Sequence, residues 1–249
     1  MINMKDNNPF IKDVYSFATA PNVCEQILRE IFQHHDFSMA HVFMGPTSSS
    51  LLHKHDRMEE IYYITHGAGV IQVGSYEYLA HTGDFIAIPP NKEHKLTTIG
   101  ERNLEHLVFA FPPFNPEDVH VIKEGDYSKF IEDFKKEKKK PFTARDGAKV
   151  YELDSVEDRK RRGVGFAAGF LEPNRKALKH YHNVSDEIYY VVSGNGAIQL
   201  NEDKENVQRG SLIYVPKGTL HGLSNSEDRN LEILCVSFPE YKEEDFLIK

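Results

Sequence analysis

Two histidines separated by a single residue occur twice in this chain, as His53 with His55 and as His180 with His182. On a strand such residues share a face, so two imidazoles converge on one point. A glutamate follows after four intervening residues, Glu60 or Glu187, a spacing that allows a tight turn into the next strand and returns a carboxylate beside the imidazoles. A third histidine, His94 or His221, arrives five residues after Pro89 or Pro216, on a strand that must come back across the same structure. Three imidazoles and one carboxylate suit Fe, Mn, Co, Ni, Cu or Zn and suit Ca or Mg poorly. A divalent ion held by three neutral imidazoles and one carboxylate carries one net positive charge and favours an anion in its remaining positions. A six-coordinate ion such as Fe or Mn keeps two positions for water, substrate or dioxygen, whereas a tetrahedral Zn is saturated by the same four ligands.

One such cluster could be coincidence, because a lone histidine is more often a packing or surface residue than a ligand. A single offset of 127 residues, however, carries His53, His55, Glu60 and His94 onto His180, His182, Glu187 and His221 without a gap. The same offset carries Gly67 to Gly194, Gly83 to Gly210, Pro89 to Pro216, Asn103-Leu104-Glu105 to Asn230-Leu231-Glu232, and Phe111-Pro112 to Phe238-Pro239. The chain therefore contains two copies of one fold, and two clusters in identical register argue for metal binding.

The elements that must position these ligands read as strands. Ile61 to Thr65 and Ile188 to Val192 are short, rich in Ile, Val and Tyr, and bounded by turn residues, as are Val70 to Val73, Phe85 to Ile88, Leu104 to Phe111 and their copies. Many short strands at close spacing predict a sandwich or barrel. Between the copies, apolar residues at 127, 130, 131 and 134 follow helical spacing after a capping Asp126 and before Pro141, which predicts a connecting helix. Residues 22–33 carry competing signals: Asn22 and Glu25 suggest a capped helix, while the partner segment from Lys149 to Asp158 reads as strand and loop.

Composition bounds the remainder. The 249 residues exceed the usual size of one domain, and 40% hydrophobic residues with 16 Phe and 12 Tyr describe an ordinary globular chain. A formal charge of −8 gives no broad basic field for nucleic acid or an acidic membrane. The run from Lys135 to Lys140 is interspersed with acids and reads as a solvated helix face. Neither a signal peptide nor a membrane span is legible, so a cytoplasmic location is expected. Cys24 and Cys235 are too few for a disulfide framework or a thiolate site, and both are expected to be inert, Cys235 in a strand core.

The motifs resemble those of the cupins. His53-x-His55, Glu60 and Gly67, repeated as His180-x-His182, Glu187 and Gly194, are similar to that family's first motif. Gly210, Pro216, Gly218, His221 and Asn225 match its second motif in full. In the first half Asn91 and Thr98 stand where Gly218 and Asn225 stand in the second, and Thr47 and Asn174 replace the family's leading glycine; Asn tolerates the left-handed conformation that Gly supplies. No ligand is lost. The resemblance implies an all-β bicupin of two tandem double-stranded β-helix or jelly-roll barrels: an N-terminal cupin domain over 1–120, a helical linker over 121–141 and a C-terminal cupin domain over 142–249. It implies one divalent transition metal per domain, Fe or Mn in preference to Zn, Ni, Co or Cu.

For activity, the resemblance implies a small-molecule metalloenzyme acting on a small anionic organic substrate. Dioxygenase-type oxidoreductase chemistry leads, an isomerase or lyase working through an enolate is the alternative, and a non-catalytic binding or storage protein is a third reading. Strand alternation puts Tyr62 and Tyr189 on the ligand face, where a phenol can orient a substrate or donate a proton; equally, their hydroxyls can be satisfied inside the barrel. Gln72 and Gln199 are expected to make structural hydrogen bonds. Oxalate decarboxylases carry an arginine three residues before the first histidine, where this chain has Ser50 and Ala177, which disfavours oxalate chemistry. Arg175 lies on the same face as Ala177 and offers an alternative carboxylate clamp, although a solvated surface role is the plainer reading. His66, His81 and His106 are not repeated and read as surface or packing residues. Assembly as a homodimer stays open.

Overall fold

The computed structural model describes residues 2–3, 8–22, 24, 26–123, 130–132 and 140–249. It divides into two units, one of Met1–Lys5 with Phe17–Glu137 and one of Asp6–Ser16 with Lys138–Lys249. Each unit is a pair of mainly antiparallel sheets.

In the first unit one sheet runs in the order Ile2–Asn3, Ile27–Gln33, Ser38–Met44, Leu104–Phe111, Glu59–His66, Phe85–Ile88. The other runs Val119–Val121, His53–His55, His94–Thr98, Ala68–Val73, Tyr76–His81, Phe130–Glu132. Apart from the hairpins Ile27–Gln33 with Ser38–Met44 and Ala68–Val73 with Tyr76–His81, consecutive strands from Ser38 to Val121 switch between sheets, which is the jelly-roll arrangement. The second unit repeats the design with Gly165–Leu171, His180–His182, Asp186–Ser193, Asn195–Leu200, Asp203–Gln208, Ser211–Val215, His221–Ser224 and Leu231–Phe238. The internal repeat therefore holds strand by strand. Inward-facing residues form the cores: Val42, Met44, Tyr62, Ile64, Ile71 and Leu96 in the first barrel, and Leu171, Tyr189, Val191, Ile198, Ile213 and Leu223 in the second.

The ambiguous stretch over residues 22–33 resolves as strand Ile27–Gln33. Asn22 does cap, since its Oδ1 accepts the backbone N–H of Cys24 and Gln26, but it closes a turn that feeds the strand. The connecting helix expected from Asp126 lies largely outside the described residues, and within it Phe130–Glu132 is a strand pairing in parallel with Tyr76–Tyr78. The lysine run lies almost wholly outside the described residues too. Among the described residues the α-helix is Val156–Arg162, which begins at the end of the segment from Lys149 to Asp158 whose sequence reads as strand and loop, where Lys149–Glu152 is indeed a strand. Ser155 caps it by accepting the N–H of Asp158, and Gly163 closes it at φ 68°. Arg162 anchors it through Asp154, both buried, at 3.1 Å.

A further strand, Phe10–Asp13, pairs with Ser211–Val215 and so belongs to the second unit, although it precedes the first barrel in sequence. Among the described residues no helix is long and apolar enough to cross a membrane.

Candidate metal centres

The strand register brings the ligands together. His53 faces His94 directly across an antiparallel pair, and His180 faces His221 in the same way. His55 and His182 lie two residues along, on the same face. Glu60 and Glu187 come from the opposite sheet of each barrel, so each carboxylate reaches the imidazoles across the space between the two sheets. In both barrels the four ligand groups lie within 4.8 Å of one another, and all eight residues are buried. The residues expected to hold metal are brought together in both halves.

Backbone carbonyls orient the rings. Nδ1 of His53 lies 2.9 Å from Leu51 O, that of His94 3.0 Å from Lys92 O and that of His55 3.2 Å from Asp118 O. In the second barrel His180 and His221 direct Nδ1 to Leu178 O at 3.1 Å and Thr219 O at 2.9 Å. Each such bond places the ring proton on Nδ1 and leaves the Nε2 lone pair for an ion, the usual support around a metal-binding histidine. His182 is the exception, with Nδ1 facing the Asp245 carboxylate at 3.8 Å.

The buried Nε2 atoms of His55 and His182 have no hydrogen-bond partner. Such an orphaned buried acceptor is costly unless something else occupies it. Together with the donor set, this fits a divalent transition metal in each barrel. Each of the eight residues can supply one ligand atom.

Burial and the neighbouring imidazoles hold His53 down at about 4, and burial with His221 does the same for His180. For His55 and His182 burial opposes the charged form, but the nearby Glu60 and Glu187 carboxylates outweigh it and raise both above the usual histidine value. Burial alone would raise Glu60 and Glu187; the flanking histidines reverse this and hold both carboxyls well below their usual range. Each site thus presents an ionised carboxylate and, at His53 or His180, an imidazole held neutral, the forms that bind metal.

Tyr62 donates its hydroxyl to Glu60 Oε2 at 3.1 Å, and Tyr189 donates to Glu187 Oε2 at 2.7 Å with His221 Nε2 3.0 Å away. Burial and the adjacent carboxylate push both phenols far above their ordinary value, so they stay protonated. Both therefore touch the ligand carboxylate. Gln72 and Gln199 bond the carbonyls of Gly74 and Asn201, which is the structural role expected of them.

Two features were not foreseen from sequence. Asp118 and Asp245 are buried carboxylates that pin the loop between the paired histidines and the glutamate. Asp118 Oδ2 accepts from Arg57 N and Met58 N, and Asp245 accepts from Asn183, Val184 and Ser185 N. They correspond under the 127-residue offset, which was the available signal. Cys235 lies in a strand, as expected, but it also donates to Glu187 Oε1 at 3.4 Å; burial keeps it a thiol. As expected from sequence, His106 is a packing residue of the first barrel, fully buried with its ring 4.8 Å from that of Tyr62, and His81 is on the surface.

A cavity of about 460 Å³ opens onto the second cluster, lined by His180, Glu187, Tyr189 and His221 at one end. Ala177 lines it; Arg175 is exposed and does not, so the carboxylate clamp considered for Arg175 is not formed.

The Cupin domain family model matches residues 40–110 and 170–237, together more than half of the chain and spanning all eight ligands. A protein of Methanocaldococcus jannaschii is 36% identical over 109 residues, covering 44% of this chain and 87% of that protein. An oxalate-binding protein of Thermotoga maritima is 30% identical over 71 residues, covering 28% of this chain and 59% of that protein. Among solved structures, oxalate decarboxylase from Bacillus subtilis superposes with a TM-score of 0.67 at 17% identity, over 93% of this chain and 77% of that one. At that identity the likeness is one of fold.

Proposed function

The chain belongs to the cupin family, and from that premise we propose that it is a metal-dependent enzyme that converts a small organic anion, with the second barrel's cluster facing its substrate. The observation that carries this reading is a four-residue ligand set whose inner face opens into a ligand-sized cavity. A ligand set needed only for structure would be expected to close around its ion.

The divalent ion, when bound, supplies one net positive charge and open coordination positions for an anionic oxygen donor or dioxygen. His180, His182, His221 and Glu187 would hold it there, with His53, His55, His94 and Glu60 doing the same in the first barrel. Tyr189, kept protonated by burial and by Glu187, fixes that carboxylate and holds a proton on the cavity wall beside the cluster. Tyr62 does the same for Glu60 in the first barrel. The apolar walls exclude water from the reacting end and strengthen every charge interaction within it.

Oxygenase-type chemistry with Fe or Mn is the leading reading, because four protein ligands leave a six-coordinate ion two positions. Elemental analysis of chelator-free protein, followed by turnover assays in an oxygen electrode, tests it. We expect up to two Fe or Mn per chain and substrate-dependent oxygen uptake; protein that carries no transition metal in either barrel refutes metal dependence. A lyase or isomerase reading draws support from the decarboxylase among the fold neighbours. It predicts full turnover under strict anaerobiosis, so the same assay separates the two. A non-catalytic binding protein, in keeping with the Thermotoga maritima relative's name, predicts ligand binding with no product under either condition.

A further inference from the structure

From the walls of the second barrel's cavity we infer its ligand class: a monoanion whose carboxylate or enolate head faces the metal cluster and whose body is apolar, aryl or branched alkyl. This inference rests on the reading of the second cluster as a substrate site.

The two barrels share ligands and register but differ in what fills them. Under the 127-residue offset, Gly169 stands where the first barrel has Val42, and Val42 is fully buried in that barrel's core. Gly169 lines the cavity. Its backbone does not require glycine: an added Cβ would meet Ile233 Cγ1 and Lys149 O at 3.5 Å, ordinary contact distances. The glycine therefore leaves room that a side chain could occupy. Ala177, in place of the buried Ser50 of the first barrel, adds to that room.

The volume of about 460 Å³ lies within the range of clefts that enclose drug-sized ligands, roughly 300–1,000 Å³, and a two-carbon dianion would fill little of it. Beyond the cluster the lining is mainly apolar and includes Gly169, Phe170, Leu171, Leu223, Leu231 and Ile233. A second carboxylate placed against them would be desolvated without a partner. Of the cationic side chains on the wall, Arg159 is paired with Glu152 at 2.9 Å and Asp154 at 3.7 Å, while Arg145, which donates to the carbonyls of Glu243 and Phe246, keeps its charge on a wall that also carries the acids Asp146 and Glu243. Asp146, also on the wall, adds negative charge that further disfavours a dianion. One charge at the metal and an apolar remainder is what this lining accepts.

The test is calorimetric titration of full-length, Mn-loaded protein with phenylpyruvate, 4-methyl-2-oxopentanoate and oxalate, with metal content measured before and after. We expect the two apolar monoanions to bind at least about tenfold more tightly than oxalate. Gly169→Leu should abolish that preference while both metal ions stay bound. Gly169→Ala, whose Cβ makes only ordinary contacts, should weaken the apolar probes in part and guards against a folding defect in the larger variant. Oxalate binding as tightly as the apolar anions, or apolar binding untouched by either substitution in metal-replete protein, would overturn the inference and leave metal dependence standing. Absence of metal from the second cluster would overturn both.

Discussion

The left-handed backbone positions show how closely single residues follow the fold's demands. Thr47 and Asn174, which stand in for a glycine in the family motif, have φ of 60° and 57°, and Asn91 matches Gly218 at 63° and 81°. The turn geometry survived while the residue changed. Asn tolerates that region, but Thr47 is β-branched and exposed, so it stores strain. Thr47→Gly should stabilise the first barrel by about 0.5–1 kcal/mol, read as a shift in the denaturant midpoint with unchanged slope. The ligands were legible for a related reason: chemistry restricts the residue type at each position, and duplication wrote the restriction twice. Glu187→Gln should lower bound metal from two ions per chain to one while the first cluster keeps its ion; loss of both would show that the sites are not separate. Protons report the same groups. His55 and His182 are raised by their carboxylate neighbours, so without metal each keeps its proton to higher pH than an ordinary histidine, whereas His53 and His180 are held down near 4. Metal binding should displace the proton held by His55 and His182, and affinity should fall as pH drops through their raised range. Calorimetry in buffers of different ionisation enthalpy measures that release, and a value of zero would contradict the assignment.

At the scale of elements, strands were readable wherever alternation and turn residues coincided, because a half-buried strand imposes a period of two on its sequence. The helix Val156–Arg162 escaped that reading. It is short, highly charged and has no buried apolar residue, so no apolar period marks it. Its signals were the cap pair Ser155 and Asp158 and the closing Gly163. Ser155→Ala should cost about 1 kcal/mol, measurable as a small drop in the second unit's stability. The loops between the paired histidines and the glutamates carry more consequence. Asp245 accepts three consecutive backbone N–H groups there and faces His182 Nδ1. Asp245→Ala leaves those donors without their acceptor and frees the ring. We expect metal affinity of the second cluster to fall about 10- to 100-fold with the first unaffected, by competition with a chelator.

For the molecule as a whole, duplication made the two barrels visible but concealed where they differ. The gapless offset predicts identical cores, yet Gly169 and Ala177 replace Val42 and Ser50, and no periodicity in one copy announces a cavity; only the comparison of matched positions does. Chain order concealed a second departure. Phe10–Asp13 completes the second unit's larger sheet beside Ser211–Val215, Val14 is fully buried there, and its N–H bonds Gly210 O at 2.9 Å. An edge strand covers backbone groups that would otherwise be left open, so this segment should stabilise the second barrel rather than the first. Val14→Ala leaves a void worth about 1–3 kcal/mol. If the segment belongs to the second unit energetically as well as spatially, the substitution lowers the temperature at which the second cluster releases its metal and leaves the first cluster's release unchanged. Tracking both in variants with one cluster disabled, His94→Ala or His221→Ala, separates them, and a shift confined to the first cluster would show that the segment's contacts in the second barrel carry no stability.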